Sequence, residues 1–382
     1  MSIAALLEGK RICVCGGAGG VGKTTSAAAI ALGMAARGAK VAVVTIDPAR
    51  RLANALGLEE LCNEPRRVAP RRLRVEGLGP VRGELWAMML DPKRTFDELI
   101  ERIAPDPGRA HAIKRNRIYA QLSSAVSGSQ EFTAIAKLYD LACEDRFDLL
   151  VLDTPPSRNA LDFLDAPGRL TAFLDGRAMR TFVRPAGAGV RALGRGASPL
   201  LSVLRRLTGI DVLAEISTFF ALLGDMTEDF SRRAVQVERL LRSERTAFLL
   251  VTSAQSEPID EAIWFGRTLR ESGLPFAGVI VNRVHHELPL PAEPSQLAEL
   301  LSGRLEPSLV ARVLENLHDY HVLARRDARN VERLREQLDG QPLILVPQLD
   351  DDVHDLAGLA AIVRYLFASA DERERMLAEV VC

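Results

Sequence analysis

Ten residues, Gly16–Thr25 (GGAGGVGKTT), have the types and spacing to hold a phosphate chain. They fit the pattern G-x-x-x-x-G-K-[ST], with Gly17, Gly22, Lys23 and Thr24 at the fixed positions. Glycines let the backbone curl so that consecutive N–H groups face inward at phosphate oxygens. Lys23 would reach the β- and γ-phosphates, and the Thr24 hydroxyl would bind Mg2+. The flanks suit this chemistry. Arg11–Cys15 (RICVC) reads as a buried strand. The alanine-rich run Lys23–Arg37 reads as a helix closed by Gly38, and its start adds partial positive charge at the loop.

Two carboxylates stand where such a site needs them. Asp47 follows the apolar run Lys40–Ile46 and would orient, and deprotonate, an attacking water. The same aspartate would equally serve as the N-cap of a helix over Leu52–Leu56. Phe147–Thr154 (FDLLVLDT) closes an apolar run with Asp153, the pattern of a carboxylate that holds Mg2+ directly or through water. The segment after it, Pro155–Asn159, suits a switch that senses the γ-phosphate, and Pro48 would open another mobile loop. Base identity is also legible. Guanine-specific loops read N-K-x-D, whereas here Asn282-Arg283-Val284-His285 carries histidine in the fourth place. Without that acceptor ATP is favoured over GTP, with Asn282 facing the adenine edge. The pairs His285-His286 and His318-x-x-His321 lack a spaced third ligand and read as surface or core positions. Asp350–Asp352 reads as a solvated loop or helix start.

The elements that must position these residues alternate. Apolar, β-branched runs at Arg11–Cys15, Lys40–Ile46, Leu85–Leu90, Leu149–Leu152, Ala247–Val251, Val279–Val281 and Leu343–Val346 read as buried parallel strands with helical patterns between them. That predicts an α/β fold with a doubly wound, mostly parallel sheet, and sites at the strands' carboxyl ends. Two stretches break the alternation. Phe96, Leu99, Ile100 and Ile103 recur at helical spacing, and 166–245 holds no convincing strand. The expected division is a nucleotide-binding core at 1–91, 146–165 and 246–382, with an inserted helical subdomain at 92–145 and 166–245.

Composition bounds the rest. The 382-residue chain is 47% hydrophobic and 26% charged with net charge −1, which argues against a dedicated nucleic-acid binder. No run of eighteen apolar residues predicts a membrane span, and no basic leader precedes the short apolar piece in MSIAALLEGKR. Five cysteines without a C-x-x-C pair point to the reducing cytoplasm. Between Gly176 and Ile210 lie seven arginines and no acid. This segment reads as a solvated linker, or as a peripheral contact with an anionic membrane surface or acidic partner.

Taken together, GGAGGVGKTT, TIDPARRLANALG (Thr45–Gly57), LVLDTPPSRNALDFL (Leu150–Leu164) and VIVNRV (Val279–Val284) resemble the ArsA/GET-type ATPases, arsenite-pump and tail-anchored-protein targeting ATPases. Val346-Pro347 resembles the loop that packs on adenine. The resemblance implies phosphate binding by Gly19, Gly20, Val21, Gly22, Lys23, Thr24 and Thr25, switch roles for Asp47 and Asp153, and base contacts from Asn282 and Pro347. It also implies a dimer with nucleotides at a shared interface. Two departures stand out. The family's loop usually begins with a lysine that reaches the partner's nucleotide, and Ala18 occupies that position here. Such a cation is worth about 10³–10⁵-fold in rate. Cys62, Cys143 and Cys382 are scattered, which disfavours a thiolate site for arsenite.

The leading expectation is a Mg-ATP hydrolase whose nucleotide state opens and closes a helical, client-binding surface in a homodimer or heterodimer. Leu213, Ile216, Phe219, Phe220, Leu222, Leu223 and Met226 would line an apolar groove for a client helix, or else form the insert's own core. The alternative is a slow or inactive regulatory subunit paired with a lysine-bearing paralogue, with Arg50, Arg51 or Arg158 as local substitutes for the missing lysine. A MinD/ParA-like positioning ATPase is disfavoured by the long helical insertion.

Overall fold

The computed structural model describes residues 1–47, 50–117, 119, 129–154, 218–219, 221–223, 226–288 and 294–379. The chain divides into two compact units. One comprises Met1–Met89, Asp145–Ala160 and Ser243–Cys382, and the other Leu90–Glu144 and Leu161–Arg242.

The first unit is built on an eight-stranded sheet. Its strands are β1 (Ile12–Gly16), β2 (Lys40–Thr45), β3 (Arg66–Arg67), β4 (Glu84–Met89), β5 (Leu149–Asp153), β6 (Thr246–Ser253), β7 (Phe276–Val284) and β8 (Leu343–Pro347). They lie in the order β3-β4-β2-β5-β1-β6-β7-β8. Every pairing is parallel except that of the edge strand β3, which runs antiparallel to β4. The seven runs expected as strands all form strands. β3 is the addition, and its two exposed arginines carry no hydrophobic signal.

Central strands β1, β5 and β6 are buried along their whole length. Strands buried on both faces read as continuous apolar runs, which is why the sequence exposed them. Helix α1 (Ile3–Leu6) opens the unit, and α2 (Lys23–Ala36) follows β1. Ala27 to Leu32 are fully buried in α2, so this helix is apolar all round and not amphipathic. Helix α3 (Arg51–Ala55) has Arg50 at its N-cap, with no side-chain cap. Asp47 is therefore not the capping residue, and that alternative falls.

Winding places the site. β1 lies between β5 and β6, with β2 and β4 on one side and β7 and β8 on the other. The order reverses about β1, and the carboxyl ends of such strands frame the crevice where ligands of open α/β sheets bind.

The second unit is helical. Its helices are α4 (Pro92–Ile103), α5 (Pro107–Arg115), α6 (Ser129–Cys143) and α7 (Thr227–Arg242). Asp91 and Asp106 cap α4 and α5 through the backbone N–H groups of Arg94 and Arg109, both at 2.9 Å, each just before a first-turn proline. Leu99, Ile100, Ile113, Tyr119, Ala136, Phe219, Leu223 and Met226 form its core. Phe219, Leu223 and Met226 are at most 4% exposed, which places them in this core and not in an open groove. Leu213, Ile216, Phe220 and the arginine-rich segment lie outside the described residues.

The first unit continues with α8 (Ser256–Glu271), α9 (Pro294–Ser302), the long α10 (Pro307–Gln337), α11 (Leu356–Phe367) and α12 (Ala370–Glu379). Asp350–Asp352 precede α11 as an exposed loop, and Asp355 caps that helix. No helix among the described residues is long and apolar enough to cross a membrane.

Candidate functional site

Glycines shape the loop between β1 and α2. Gly17 has φ +147°, and a Cβ there would lie 2.0 Å from the Val251 carbonyl oxygen. Gly22 has φ +94°, and a Cβ would meet Asn282 Nδ2 at 2.3 Å. Gly22 is also the N-cap of α2, with no side chain capping the first turn and no acidic residue in it. The first-turn N–H groups thus keep the partial positive character that suits an anion. Lys23 is buried, which pushes its pKa down, and its Nζ donates to the Ala18 carbonyl at 2.5 Å.

Asp153 ends β5 beside this loop. Its Oδ2 accepts from Thr24 Oγ1 at 2.7 Å and from Thr45 Oγ1 at 2.9 Å. The carboxylate is 1% exposed, and its Oδ1 is buried with no hydrogen-bond partner. Burial raises the pKa to about 6, opposed by the two hydroxyls and by Lys23. A buried carboxylate oxygen left unpaired next to a hydroxyl is an incomplete set of hard oxygen donors.

Asp47 stands at the end of β2. Its backbone N–H donates to Thr45 Oγ1 at 3.2 Å, and its carboxylate lies 3.8 Å from the Arg51 guanidinium. Asp47, Thr45, Arg50, Glu60 and Met89 border a cavity of about 240 Å3. Pro48 and residues 155–160, including Arg158, lie outside the described residues.

Asn282 and Pro347 come from neighbouring strands β7 and β8. Asn282 is buried, and its Nδ2 donates to the Val21 carbonyl at 2.9 Å. It braces the loop. Pro347 pairs with Val284 across a register shift between Val281 and Val284. Arg283 lies at that shift with φ +58°, a conformation costly for a residue with a Cβ. Next to it a cavity of about 380 Å3 is lined by Gly19, Val21, Arg283, His285, Asp327 and Gln348, among others.

The structure adds residues that the sequence did not single out. Asp327, 1% exposed in α10, accepts from the His285 backbone N–H at 3.0 Å and pairs with His285 Nδ1 at 2.8 Å. Its other oxygen accepts from the Arg326 guanidinium at 2.8 Å. A charged residue on the buried face of α10 was the available signal, but its partner lies 42 positions away. Thr45 was likewise hidden as an ordinary strand residue. Of the expected set, Thr24 and Asp153 meet directly, with Thr45 as a further partner of Asp153, while Asn282 bonds Val21 and abuts Gly22 in the same loop.

This arrangement has relatives. The model of the anion-transporting ATPase family matches residues 10–325. The chain is 24% identical over 276 residues to the ATPase GET3 of Malassezia globosa, covering 72% of this chain and 73% of that protein. It is 25% identical to the ATPase GET3 of Mycosarcoma maydis, covering 63% of this chain and 62% of that one. It is 28% identical over 298 residues to the arsenical pump-driving ATPase of Acidiphilium multivorum, covering 77% of this chain and 42% of that protein. The chain thus spans less than two thirds of the length of the latter two relatives. From the family match over residues 10–325, which contains the loop and both carboxylates, the chain is an ATPase and belongs to the anion-transporting ATPase family.

Proposed function

We propose that this chain binds Mg-ATP at the Gly17–Thr25 loop and hydrolyses it. The observation that carries the reading is the Thr24–Asp153 pair with its unpartnered Oδ1. A hard divalent cation suits that donor set, because Mg2+ keeps waters and takes only one or two carboxylates beside phosphate oxygens. Thr24 and Asp153 would hold it, and when bound it offsets the charge on the phosphate oxygens. Backbone N–H groups from Gly19 to Thr25 cradle the phosphates, and Lys23 leaves the Ala18 carbonyl to meet them. Asp47 orients the attacking water and accepts its proton. Asn282, with its amide N–H spent on Val21, offers Oδ1 to the adenine amino group, while Pro347 packs near the base.

The working unit is a dimer in the reducing cytoplasm, and the helical unit carries the client-facing surface. Support for this part is the resemblance to dimeric targeting ATPases and the separate helical core. A second reading is favoured by Ala18. Because no cation is carried at that place, turnover would be slow unless a lysine-bearing paralogue completes the site. The test is Mg-ATP turnover and mass in solution, for wild type and Asp47→Asn. A dimer whose turnover falls about 10²–10⁴-fold in Asp47→Asn, with ATP binding kept, supports hydrolysis by this chain. Tight ATP binding without turnover transfers the reading to the regulatory subunit. Absence of Mg-ATP binding overturns both.

A further inference from the structure

A second cavity lies at the other end of α2. That helix begins at Lys23 beside the phosphate loop and runs about 21 Å to its last turn. There Ala36 and Arg37 line a cavity of about 640 Å3. Leu78, Val363, Phe367 and Met376 are the apolar part of its lining. Arg37, Arg364 and Arg375 line it too, with a single acid, Glu372.

Side-chain contacts shape the walls. The Phe367 ring fills the space where a Cβ on Gly33 would sit, 2.1 Å from its Cε2. The Arg37 guanidinium lies over that ring, 5.2 Å from the centroid. Helix α12 is pinned by the buried Arg373, which donates to the carbonyls of Tyr365 and Ala368 at 2.9 Å and of Met1 at 3.2 Å. Glu372 is occupied in capping α12, accepting the Ser369 N–H at 2.8 Å while its own N–H donates to Ser369 Oγ at 3.2 Å. Arg375 Nε donates to the Asp371 carbonyl at 3.4 Å, and its charge also acts on the Glu372 carboxylate. Neither Arg37 nor Arg364 has a carboxylate partner among the described residues.

We infer that this cavity binds a small amphipathic anion. Its phosphate or carboxylate head lies among Arg37, Arg364 and Arg375, and its apolar body rests on Leu78, Phe367 and Met376. Guanidinium forks match the planar oxygens of both head groups. The volume lies in the small-molecule range, and the groove is open with a lining more polar than apolar, which suits a charged head left partly in water. Arg37 and Arg364 also end α2 and α11, where cations offset the helix dipole. The test separates that local role from ligand binding.

The probe is decyl phosphate below its micelle concentration, titrated by calorimetry into the full chain without nucleotide. One saturable site is expected. Decyl glucoside, which lacks the charge, and inorganic phosphate, which lacks the tail, should each bind at least tenfold more weakly. Arg37→Gln and Arg364→Gln should each weaken decyl phosphate at least tenfold while leaving Mg-ATP binding as in wild type and lowering the unfolding temperature only slightly, through the lost helix-end charge. The source of the head group is read with vesicles. Sedimentation with phosphatidate but not phosphatidylcholine vesicles, lost in the same variants, assigns it to a lipid. Binding of the soluble amphiphile alone assigns it to a free metabolite. No saturable binding of decyl phosphate, or equal affinity in the Arg37→Gln/Arg364→Gln double variant, overturns the inference. This readout uses no hydrolysis, so it stands or falls apart from the proposed ATP site.

Discussion

The Thr45 hydroxyl donates to Asp153 Oδ2 at 2.9 Å and at the same time accepts the Asp47 backbone N–H at 3.2 Å. One side chain at the end of β2 thus ties the carboxylate expected at the cation to the backbone of the carboxylate expected at the attacking water. Thr24 makes the second bond to the same Asp153 oxygen, at 2.7 Å. These two threonines have different expected roles and can be told apart. Thr45→Val should cost about 1 kcal/mol of stability and leave Mg-dependent ATP affinity within about threefold. Thr24→Val should remove most of the Mg-dependent part, leaving the same ATP affinity with and without the metal. Equilibrium binding of ATP with and without Mg2+ checks both.

The loop's glycines make a second prediction, because two of them fail for different reasons. At Gly17 a methyl group would collide with the Val251 carbonyl oxygen at 2.0 Å, a backbone atom with no flexible end to give way. At Gly20, φ is +77° but a Cβ would meet nothing within 4 Å. Gly20→Ala should therefore cost only about 1–2 kcal/mol, the conformational term alone. Gly17→Ala should cost at least about 3 kcal/mol and shift the loop away from β6. Urea unfolding of the two variants under one set of conditions measures the difference.

Asn282 gives a third. The sequence reading assigned it to the base, while the structure also shows its amide donating to Val21 in the phosphate loop, from a buried position. Asn282→Ala should lose about 1–2 kcal/mol of stability even without nucleotide, which a residue that only touched the base would not do. With nucleotide, the preference for ATP over GTP should also fall. Thermal unfolding without ligand and competition binding with the two nucleotides separate the two contributions.

How much was legible follows from the physics of each element. β1, β5 and β6 were readable because burial on both faces leaves unbroken apolar runs. The loop was readable because positive φ at Gly17 and Gly22 selects glycine at those positions, which a linear motif records. β3 was not readable: two exposed arginines form a strand only because β4 offers an edge to pair with. Nor was Asp327 with His285, a contact made by the packing of α10 against the end of β7. Phe219, Leu223 and Met226 had a helical pattern that fits a groove or a core equally well, and only the packing around them decides for the core. Local chemistry leaves a mark in sequence, whereas long-range pairing leaves little.

His286 makes a pH prediction. Burial, and then the neighbouring His285, push its pKa below the usual 6.5, against the pull of Asp327, and its Nε2 is buried without a partner. A histidine whose folded pKa is depressed binds its proton more readily when unfolded. It therefore contributes stability above pH 6.5 that is lost as the pH falls toward the folded value. Wild type should lose more in Tm between pH 7.5 and 5.5 than His286→Gln does. Equal losses in the two proteins would remove His286 from the acid response.

Asp327 offers the last test, because its carboxylate organises the wall of the cavity beside Gly19 and Val21. It holds the His285 backbone N–H and ring Nδ1 on one oxygen and the Arg326 guanidinium on the other. Asp327→Asn keeps the size but removes the charge and replaces one acceptor with a donor facing a group that itself needs an acceptor. Arg326 is 39% exposed and would be partly compensated by water, so the expected cost is about 2 kcal/mol and not that of a fully buried pair. If this wall contacts the nucleoside, ATP affinity should fall by more than the affinity for inorganic triphosphate, which occupies the phosphate loop alone. An equal fall for both ligands would mean that Asp327 acts on the loop through the fold, and the cavity of about 380 Å3 would then be no part of the base site.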